Sequence, residues 1–378
     1  MSTPTLDFIR ADSVSEVATQ VAASRAQGRV PLVGDPRWSM EHWGLVQDRW
    51  SGATLPAEAA WVALSSGSTG NPRLIVRTQQ SWALSFPVLN EILGLSASDV
   101  FYLPGSPASS LALFSIAHAA DLGARVGGDE LLQSATFFHG TPSLLRALLQ
   151  RIEAGLDCGI RVALVGGDAL DDSTRELAQS LGIKVVTYYG AAELSFVAID
   201  VDGNGLRAFP GVETKIVDHQ LWVRSPYRAI AYLGDGGALR ETADGWATVG
   251  DLATEHEGRL SIQGRADGAI QTAGATVIPE DVEQALCQLP GVKQIVVFGV
   301  PNSVIGNLVA AVLVYQPETP ESLKTLKAAE SAALVLLSHT HRPRLWFEAQ
   351  SLPTTISGKP ARKLIQAAAI AGEYRKLE

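Results

Sequence analysis

The chain of 378 residues carries a formal net charge of −9, and hydrophobic residues outnumber charged ones, 46% against 18%. This composition excludes a fibrous or disordered protein and is that of an ordinary globular one. Two domains are expected, because the length exceeds what one compact core usually supports. The acidic balance, with no dense stripe of lysine and arginine, argues against binding along a nucleic-acid backbone.

The first residues and the cysteines give an expectation about location. The opening MSTPTLDFIRADS has no basic segment followed by an apolar stretch, so no secretory signal is predicted. Apolar runs such as LVAAVLV are far shorter than the about 20 residues that span a bilayer. Cys158 and Cys287 lie far apart without a CxxC spacing, which predicts neither a disulfide framework nor a zinc site. We expect a cytoplasmic protein.

The predicted elements change character along the chain. From Trp61 onward, buried strands alternate with amphipathic helices, which predicts an α/β layer with a largely parallel sheet. The strands are WVALSS, ARVGG, RVALVGG and KVVTYYG, and the helices are PSLLRALLQRIEAG and LDDSTRELAQSLG. After about residue 210, segments such as TKIVDHQLWVRS predict a β-rich subdomain. A glycine-bearing segment (264–274) then precedes a helix whose first turn holds Pro279, Glu280 and Asp281, and we place the domain boundary there.

The loop SSGSTGNPR (65–73) follows the first of these strands. Gly67 and Gly70 let the backbone turn tightly and leave its N–H groups unobstructed, and Arg73 adds a positive charge, which together suit a triphosphate. Hydroxyl donors come from Ser65, Ser66, Ser68 and Thr69. The spacing is not the GxxxxGK[ST] of P-loop ATPases. Taken alone, a Gly/Ser loop is more often a plain solvent-exposed turn.

The loop resembles the phosphate-binding motif of the adenylate-forming enzymes, a family that includes acyl- and aryl-CoA synthetases, peptide-synthetase adenylation domains and luciferases. Four further segments resemble motifs of that family in the same order. They are YYGAAEL (188–194) for the adenine side, TVGDLAT (248–254) for the ribose, GRADGAIQTAGATVIPEDVE (264–283) for the hinge, and LPTTISGKPARKLI (352–365) for the terminal lysine. The resemblance covers the chain from about residue 61 to its end.

The resemblance implies that a carboxylate is activated with ATP, pyrophosphate is released, and the acyl group passes from its AMP ester to a thiol. An anionic carboxylate must approach an anionic phosphate, so cationic clamping and orientation are expected to carry most of the catalysis. The implied cofactors and substrates are ATP, Mg²⁺ and coenzyme A.

Motif positions in the resemblance imply individual roles. Lys359 would bridge the substrate carboxylate and the α-phosphate, and Glu193 would help hold the Mg²⁺ of MgATP. Asp251 would accept hydrogen bonds from both ribose hydroxyls, Arg265 would contact ribose or phosphate, and Asp267 would be the hinge. Further residues on the ATP and AMP side would be Gly166, Gly167, Asp168, Tyr189, Gly190 and Ala191, with Tyr189 stacking on adenine. A buried core tyrosine and ordinary surface charges are the alternative interpretations.

Fewer residues are assigned to the binding sites for the acyl group and for CoA. Phe114, His118 and His139 would line the acyl pocket, although satisfied core histidines are the alternative. Ala273 and Gly274, in QTAGAT, would face the pantetheine arm of CoA.

The sequence also departs from the family pattern. Arg73 stands where most members have a lysine, yet it keeps the charge and can grip phosphate oxygens bidentately. Ala192 replaces a threonine whose hydroxyl touches phosphate or metal in many members. The phosphate loop begins early in the chain, so the N-terminal domain is predicted to be truncated. In this length and in segment 264–279 the chain is similar to o-succinylbenzoate–CoA ligases, and in YYGAAELSFV to small bacterial acyl-CoA synthetases.

We therefore predict an α/β protein with a large N-terminal domain of mainly parallel sheets and a β-rich subdomain (1–263), a hinge (264–268) and a small, mobile α+β C-terminal domain (269–378). The predicted activity is that of an AMP-forming carboxylate–CoA ligase acting on a small-molecule carboxylic acid, ATP and CoA. The alternatives are o-succinylbenzoate–CoA ligase as the specific activity, an adenylating enzyme that loads an acyl carrier protein, and a non-catalytic nucleotide-binding descendant. No nucleic-acid partner or membrane span is expected, and the acid and the oligomeric state stay open.

Overall fold

The computed structural model describes residues 4–64, 74–233, 239–265, 268–272, 275–287, 289–302, 306–337, 340–355 and 358–378. Its first elements in chain order are β1 (Leu6–Ile9), α1 (Val14–Ala26), β2 (Val30–Val33), α2 (Met40–Trp50), β3 (Trp61–Leu64), β4 (Leu74–Arg77), α3 (Gln80–Ala83), α4 (Phe86–Leu93), β5 (Val100–Tyr102), α5 (Ser110–Leu122), β6 (Arg125–Gly127), a 3₁₀ helix (Asp129–Ser134), β7 (Phe137–Gly140), α6 (Pro142–Glu153), β8 (Val162–Gly166), α7 (Asp172–Ser180), β9 (Lys184–Ala191), β10 (Ser195–Asp200) and β11 (Arg207–Ala208). They are followed by β12 (Glu213–Val217), β13 (Gln220–Arg224), β14 (Ala231–Leu233), β15 (Arg240–Glu241), β16 (Ala247–Thr248), β17 (Asp251–His256) and β18 (Arg259–Arg265).

A seven-stranded sheet of order β11-β10-β9-β8-β7-β5-β6 forms the centre of the large N-terminal domain. Strands β5 to β9 pair in parallel, and β10 and β11 extend the β9 edge in antiparallel fashion. Every residue of β8 is buried, as expected for a central strand of a parallel sheet covered on both faces. The predicted, largely parallel α/β layer is therefore confirmed.

Local signals in the sequence explain where helices on this sheet begin and end. Ser109 caps α5 by accepting a hydrogen bond from the backbone N–H of Ala112 (3.1 Å), and α5 ends at Gly123 with a left-handed φ of 74°. Pro142 lies in the first turn of α6, where the backbone N–H that proline lacks would have no partner in the helix. These helix boundaries are thus encoded locally.

The predicted β-rich region forms a six-stranded sheet of order β15-β16-β13-β17-β18, with β12 pairing with β13. Asp218 and His219 join β12 to β13 with φ angles of 50° and 63°, which is the geometry of a two-residue hairpin turn. A separate three-stranded sheet of order β14-β4-β3 ties this region back to the strands on either side of the predicted phosphate loop. The predicted strand WVALSS is β3 of this sheet and pairs antiparallel with β4, so its assignment to the parallel layer was wrong: the nine residues between β3 and β4 are too few for the crossover that parallel pairing needs.

The C-terminal domain contains β19 (Ile270–Thr272), β20 (Ala275–Val277), α8 (Pro279–Leu286), β21 (Val292–Asn302), β22 (Gly306–Tyr315), a 3₁₀ helix (Glu321–Leu323), α9 (Leu326–Leu336), β23 (Leu345–Glu348), α10 (Arg362–Ile370) and β24 (Arg375–Lys376). Helix α8 begins at Pro279, as predicted, and buries Val282 and Leu286.

The buried hydrophobic side chains fall into cores that respect this division. Two cores comprise residues up to Leu260, and two others comprise residues from Ile270 onward. Within the described ranges, no helix combines the length and apolar character needed to cross a bilayer.

Candidate active site

Two glycines mark the carboxyl end of β8, where the parallel sheet opens toward the C-terminal domain. Gly166 pairs with Tyr188 in β9, and a Cβ atom on Gly166 would lie 2.2 Å from the tyrosine ring. Gly167 has a φ of 91°, a conformation that residues with a side chain rarely adopt. Ligands of open α/β sheets bind outside the carboxyl ends of strands. Gly166 thus lets the Tyr188 ring pack against the strand end, and Gly167 supplies a backbone conformation that other residues rarely adopt.

Lys359 reaches the same edge from the C-terminal domain. Its Cε atom lies 3.5 Å from the position that a Cβ atom on Gly167 would take. The lysine ends a tight loop, in which Gly358 has a φ of 79° and the backbone N–H of Thr355 donates to the Lys359 carbonyl (2.7 Å). The structure therefore brings together two predicted site segments that are about half the chain apart in sequence.

Arg362 anchors the lysine loop to helix α8. Its guanidinium lies 2.6 Å from the Glu283 carboxylate and 2.7 Å from that of Glu280, and it also donates to the Val297 carbonyl (2.7 Å). Such a charge-assisted network is stronger than neutral hydrogen bonds. The start of α10 and the lysine loop before it are thus held firmly within the C-terminal domain.

Tyr189 in β9 of the seven-stranded sheet contacts Asp251 in β17 of the β-rich region. The Tyr189 hydroxyl donates a hydrogen bond to the Asp251 carboxylate, which is 8% exposed. Asp251 opens β17, where its backbone pairs with Arg265 at the end of β18. Gly250, with a φ of 82°, makes the turn into β17. Three residues that the resemblance assigns to the nucleoside side thereby converge.

A tight turn joins β9 to β10 and carries Glu193. A Cβ atom on Gly190 would lie 2.1 Å from the backbone carbonyl oxygen of Ser195, so the β9–β10 pairing admits only glycine there. Glu193 is 7% exposed, and its carboxylate accepts a hydrogen bond from the Tyr232 hydroxyl (2.7 Å). Its backbone carbonyl accepts from the Ala229 N–H (2.7 Å). The carboxylate is thus held in a defined place.

Arg77 supports this turn from beneath, and sequence reasoning missed it. Its fully buried guanidinium donates from Nε (3.2 Å) and Nη2 (2.5 Å) to the Ala192 carbonyl and from Nη1 (2.7 Å) to the Tyr227 carbonyl. Burial lowers the pKa of Arg77 to about 9, although the nearby Glu193 charge raises it, so the side chain stays protonated at neutral pH. An arginine in the otherwise apolar strand LIVR was the available signal.

The residues proposed for the acyl pocket lie in the core. Phe114, His118 and His139 are 4%, 2% and 1% exposed. His139 bonds through Nδ1 to the Ser115 hydroxyl (2.6 Å) and through Nε2 to the Tyr188 hydroxyl (3.0 Å). This chain ends on the ring that packs against Gly166, so these residues stand directly behind the site.

Burial keeps both His118 and His139 neutral at pH 7. Burial lowers the pKa of His118 to about 4, and burial together with the nearby His118 lowers that of His139 to about 3. The Nε2 atom of His118 lies 2.7 Å from Oδ1 of Asn90, and its ring stacks on Phe86 with centroids 4.8 Å apart. The alternative interpretation, satisfied core histidines, describes what the structure places there.

Several predicted site residues stand apart from this arrangement. Asp168 is exposed and accepts a hydrogen bond from the N–H of Ala169 (2.8 Å). The loop from Ser65 to Arg73, the hinge residue Asp267, Ala273 and Gly274 lie outside the described residues, as does the side chain of Arg265.

The described residues form no cluster of three or more histidine, cysteine or acidic side chains that could hold a metal ion by themselves. Magnesium in nucleotide sites is typically bound by one or two carboxylates together with phosphate oxygens and water. The single, well-held carboxylate of Glu193 fits that mode of binding.

Comparisons with known proteins all point to the AMP-binding enzymes. A family model described as AMP-binding enzyme matches residues 8–232, and one described as AMP-binding enzyme C-terminal domain matches residues 281–359. The uncharacterized acyl–CoA ligase YhfT of Bacillus subtilis is 29% identical over 347 residues, which cover 82% of this chain and 69% of YhfT. The 2-succinylbenzoate–CoA ligase of Escherichia coli is 27% identical over 310 residues, which cover 77% of this chain and 66% of that ligase. The chain thus spans about two-thirds of the length of these relatives.

Solved structures share the fold over nearly the whole chain. A variant of Escherichia coli MenE with bound OSB-AMS superimposes with a TM-score of 0.82 at 21% identity, covering 98% of this chain and 88% of MenE. The o-succinylbenzoate CoA synthetase MenE of Bacillus subtilis, in complex with the acyl-adenylate intermediate OSB-AMP, gives a TM-score of 0.81 at 19% identity, covering 99% and 89%. The predicted fold, a large N-terminal domain followed by a small C-terminal one, is confirmed.

Proposed function

Since the chain belongs to the AMP-binding enzyme family, we propose that it is an AMP-forming carboxylate–CoA ligase, which activates a carboxylic acid with ATP and passes the acyl group to the thiol of coenzyme A. The observation that carries this proposal is the approach of Lys359 to Gly167 at the carboxyl end of β8. The neighbouring strand β9 carries Tyr189, whose hydroxyl donates to Asp251. A protein that only held a nucleotide would have little need of an ammonium delivered there by a second domain.

In the first half-reaction, a carboxylate oxygen attacks the α-phosphorus of ATP, and the bond to the β-phosphate oxygen breaks to release pyrophosphate. Lys359 bridges the two anionic reactants as a point charge on a flexible stem, which places its charge where negative charge accumulates. In the second half-reaction, the thiol sulfur attacks the acyl carbonyl carbon and loses its proton to water, the C–O bond between the acyl group and AMP breaks, and AMP leaves with that electron pair.

The other side chains bind and orient. Asp251 accepts hydrogen bonds from the ribose hydroxyls, and the Tyr189 hydroxyl holds that carboxylate in position. Glu193 would hold Mg²⁺, which when bound neutralises phosphate charge. We assign the loop from Ser65 to Arg73 to the phosphates on its composition and motif.

We further propose that the C-terminal domain changes its orientation between the half-reactions. The predicted hinge (264–268) contains Asp267, and rotation there would withdraw Lys359 and bring Ala273 and Gly274 toward the pantetheine arm. A disulfide that locks the orientation described above should preserve adenylation and abolish thioester formation. Full turnover in the locked form would contradict this motion.

The acid is best sought first among aryl acids. 2-Succinylbenzoate is the substrate in the names of relatives from Escherichia coli and Listeria monocytogenes, at 27% and 25% identity. We propose it as the first acid to test, followed by salicylate and a series of fatty acids.

The test incubates the protein with ATP, Mg²⁺, CoA and each acid, and measures AMP and the acyl-CoA product. Lys359→Ala is the inactive control, and Lys363→Ala removes an exposed lysine four residues away as the matched control. Acid-dependent AMP and acyl-CoA, lost only in Lys359→Ala, support the ligase. AMP formed without CoA transfer, but with transfer to a carrier protein, would favour the carrier-loading alternative. ATP binding without turnover of any acid would favour the non-catalytic descendant.

A further inference from the structure

A buried carboxylate organises the loop that follows β2. Asp35 is fully buried, and it accepts hydrogen bonds from the Arg37 backbone N–H (2.9 Å) and from Nε (2.9 Å) and Nη2 (2.7 Å) of the Arg37 guanidinium. The Ser106 hydroxyl adds a fourth (3.0 Å). Burial alone would raise the pKa of Asp35, but the hydrogen bonds and charge of Arg37 outweigh it and the pKa is lowered. This two-pronged pairing fixes the plane of the guanidinium.

The same guanidinium faces the lysine loop of the C-terminal domain. Nη2 of Arg37 also donates a long hydrogen bond (3.4 Å) to the backbone carbonyl of Thr355. The N–H of Thr355 in turn donates to the carbonyl of Lys359 (2.7 Å), so both ends of the loop are tied to one another. The chain Ser106–Asp35–Arg37–Thr355 therefore connects the core of the N-terminal domain to the loop that presents Lys359.

We propose that Arg37 is a positioning residue for adenylation: it docks the lysine loop in the orientation that places Lys359 beside Gly167. The inference rests on the proposed function. Arg37 acts through the loop carbonyl, and its planar fork serves the carboxylate and the carbonyl at once, which the point charge of a lysine does less well. Because the proposed rotation of the C-terminal domain would carry Thr355 away from Arg37, this contact favours the first half-reaction and not thiol transfer.

The test separates the two half-reactions with 2-succinylbenzoate as the probe. Adenylation is followed by exchange of labelled pyrophosphate into ATP, and thiol transfer by mixing enzyme and CoA with the synthetic AMP ester of the acid. Arg37→Gln keeps a donor for Asp35, and the double variant Asp35→Asn/Arg37→Gln removes the buried charge together with its partner. Arg29→Gln is the matched control, because Arg29 is equally exposed (51% against 52%) and also pairs with an aspartate, Asp7.

Loss of one charge-assisted hydrogen bond predicts that Arg37→Gln slows exchange roughly three- to tenfold. We expect thiol transfer to stay within about twofold of the wild type, Arg37→Lys to recover part of the exchange, and Arg29→Gln to change neither step. Equal losses in both half-reactions would overturn the inference. Unchanged pyrophosphate exchange in Arg37→Gln and in the double variant Asp35→Asn/Arg37→Gln would overturn it as well.

A second readout does not need turnover. Fluorescent labels on Cys287 of the C-terminal domain and on a cysteine introduced at Ser180 of α7, in a Cys158→Ser background, report the domain orientation with MgATP bound. Arg37→Gln should lower the fraction of molecules in the high-transfer state, and Arg29→Gln should not. If the wild type exchanges no pyrophosphate with any acid, the proposed function fails, and this experiment still decides the inference: an unchanged distribution in Arg37→Gln overturns it.

Discussion

Replacing the buried Arg77 by methionine should weaken the whole turn that carries Glu193. The substitution removes the donors to the Ala192 and Tyr227 carbonyls, and each buried carbonyl left without a partner costs about 1–3 kcal/mol. It also removes the positive charge beside the buried carboxylate of Glu193. The apolar methionine offsets part of this loss, since the guanidinium no longer has to be desolvated. We expect a net decrease of roughly 3–5 kcal/mol in the free energy of unfolding.

Urea unfolding followed by circular dichroism measures this decrease, and a double-mutant cycle with Glu193→Gln identifies its cause. If the buried charges stabilise each other, Arg77→Met/Glu193→Gln should be more stable than the sum of the single effects by about 1–2 kcal/mol. Arg77→Lys keeps the charge but reaches fewer carbonyls, so an intermediate loss is expected. An Arg77→Met protein within about 1 kcal/mol of the wild type, or strictly additive single effects, would refute this reasoning.

Three further predictions concern Gly190, Tyr189 and His118. Gly190→Ala forces its Cβ to within 2.1 Å of the Ser195 carbonyl, so strands β9 and β10 must separate locally and ATP-dependent turnover should fall at least about tenfold; wild-type rates would contradict the geometry. Tyr189→Phe removes one hydrogen bond that positions the Asp251 carboxylate, so it should raise the KM for ATP more than it lowers kcat; steady-state kinetics measure both, and an unchanged KM is the contrary result. His118 has a pKa near 4 in the folded state against about 6.5 unfolded, so the unfolded chain binds the extra proton and stability falls as pH drops from about 6.5 to 4, by roughly 3 kcal/mol. Urea unfolding at several pH values should show a shallower decline in His118→Gln, and parallel curves for both proteins would argue against it.

Features of the fold that depend on residues close together in sequence could be predicted, and contacts between distant residues could not. Strands β6, β8 and β9 of the parallel sheet and the start of α8 were predicted, because apolar runs, glycines and a proline at a helix start act within a few residues. Strands β5 and β7 were missed, and WVALSS was assigned to the wrong sheet, because strand pairing is not a local property. The motif segments could be recognised because motifs are local strings, and the roles of their residues stay predictions. The approach of Lys359 to Gly167 was implied by the family order and by no local signal.

Contacts between distant residues escaped prediction. Tyr189 and Asp251 are 62 residues apart in sequence, and Arg37 and Thr355 are 318 apart. No sequence pattern predicts contacts over such separations. Arg77 was missed for a related reason: an arginine at the end of a strand usually points to solvent, and only the fold shows that it is buried beneath the Glu193 turn. For His118 and His139, the sequence did not decide between lining an acyl pocket and lying in the core; their hydrogen-bond partners in the structure place them in the core.

The central claim, that Lys359 promotes adenylation at the edge of β8, is tested most directly by acid-dependent exchange of labelled pyrophosphate into ATP. The wild type and Lys363→Ala should exchange at similar rates with one acid of the panel, and Lys359→Ala should lose about a hundredfold or more, as expected for removing a key electrostatic group. Exchange by Lys359→Ala at the wild-type rate would contradict the assigned role, and ATP binding without exchange by the wild type would contradict the ligase itself.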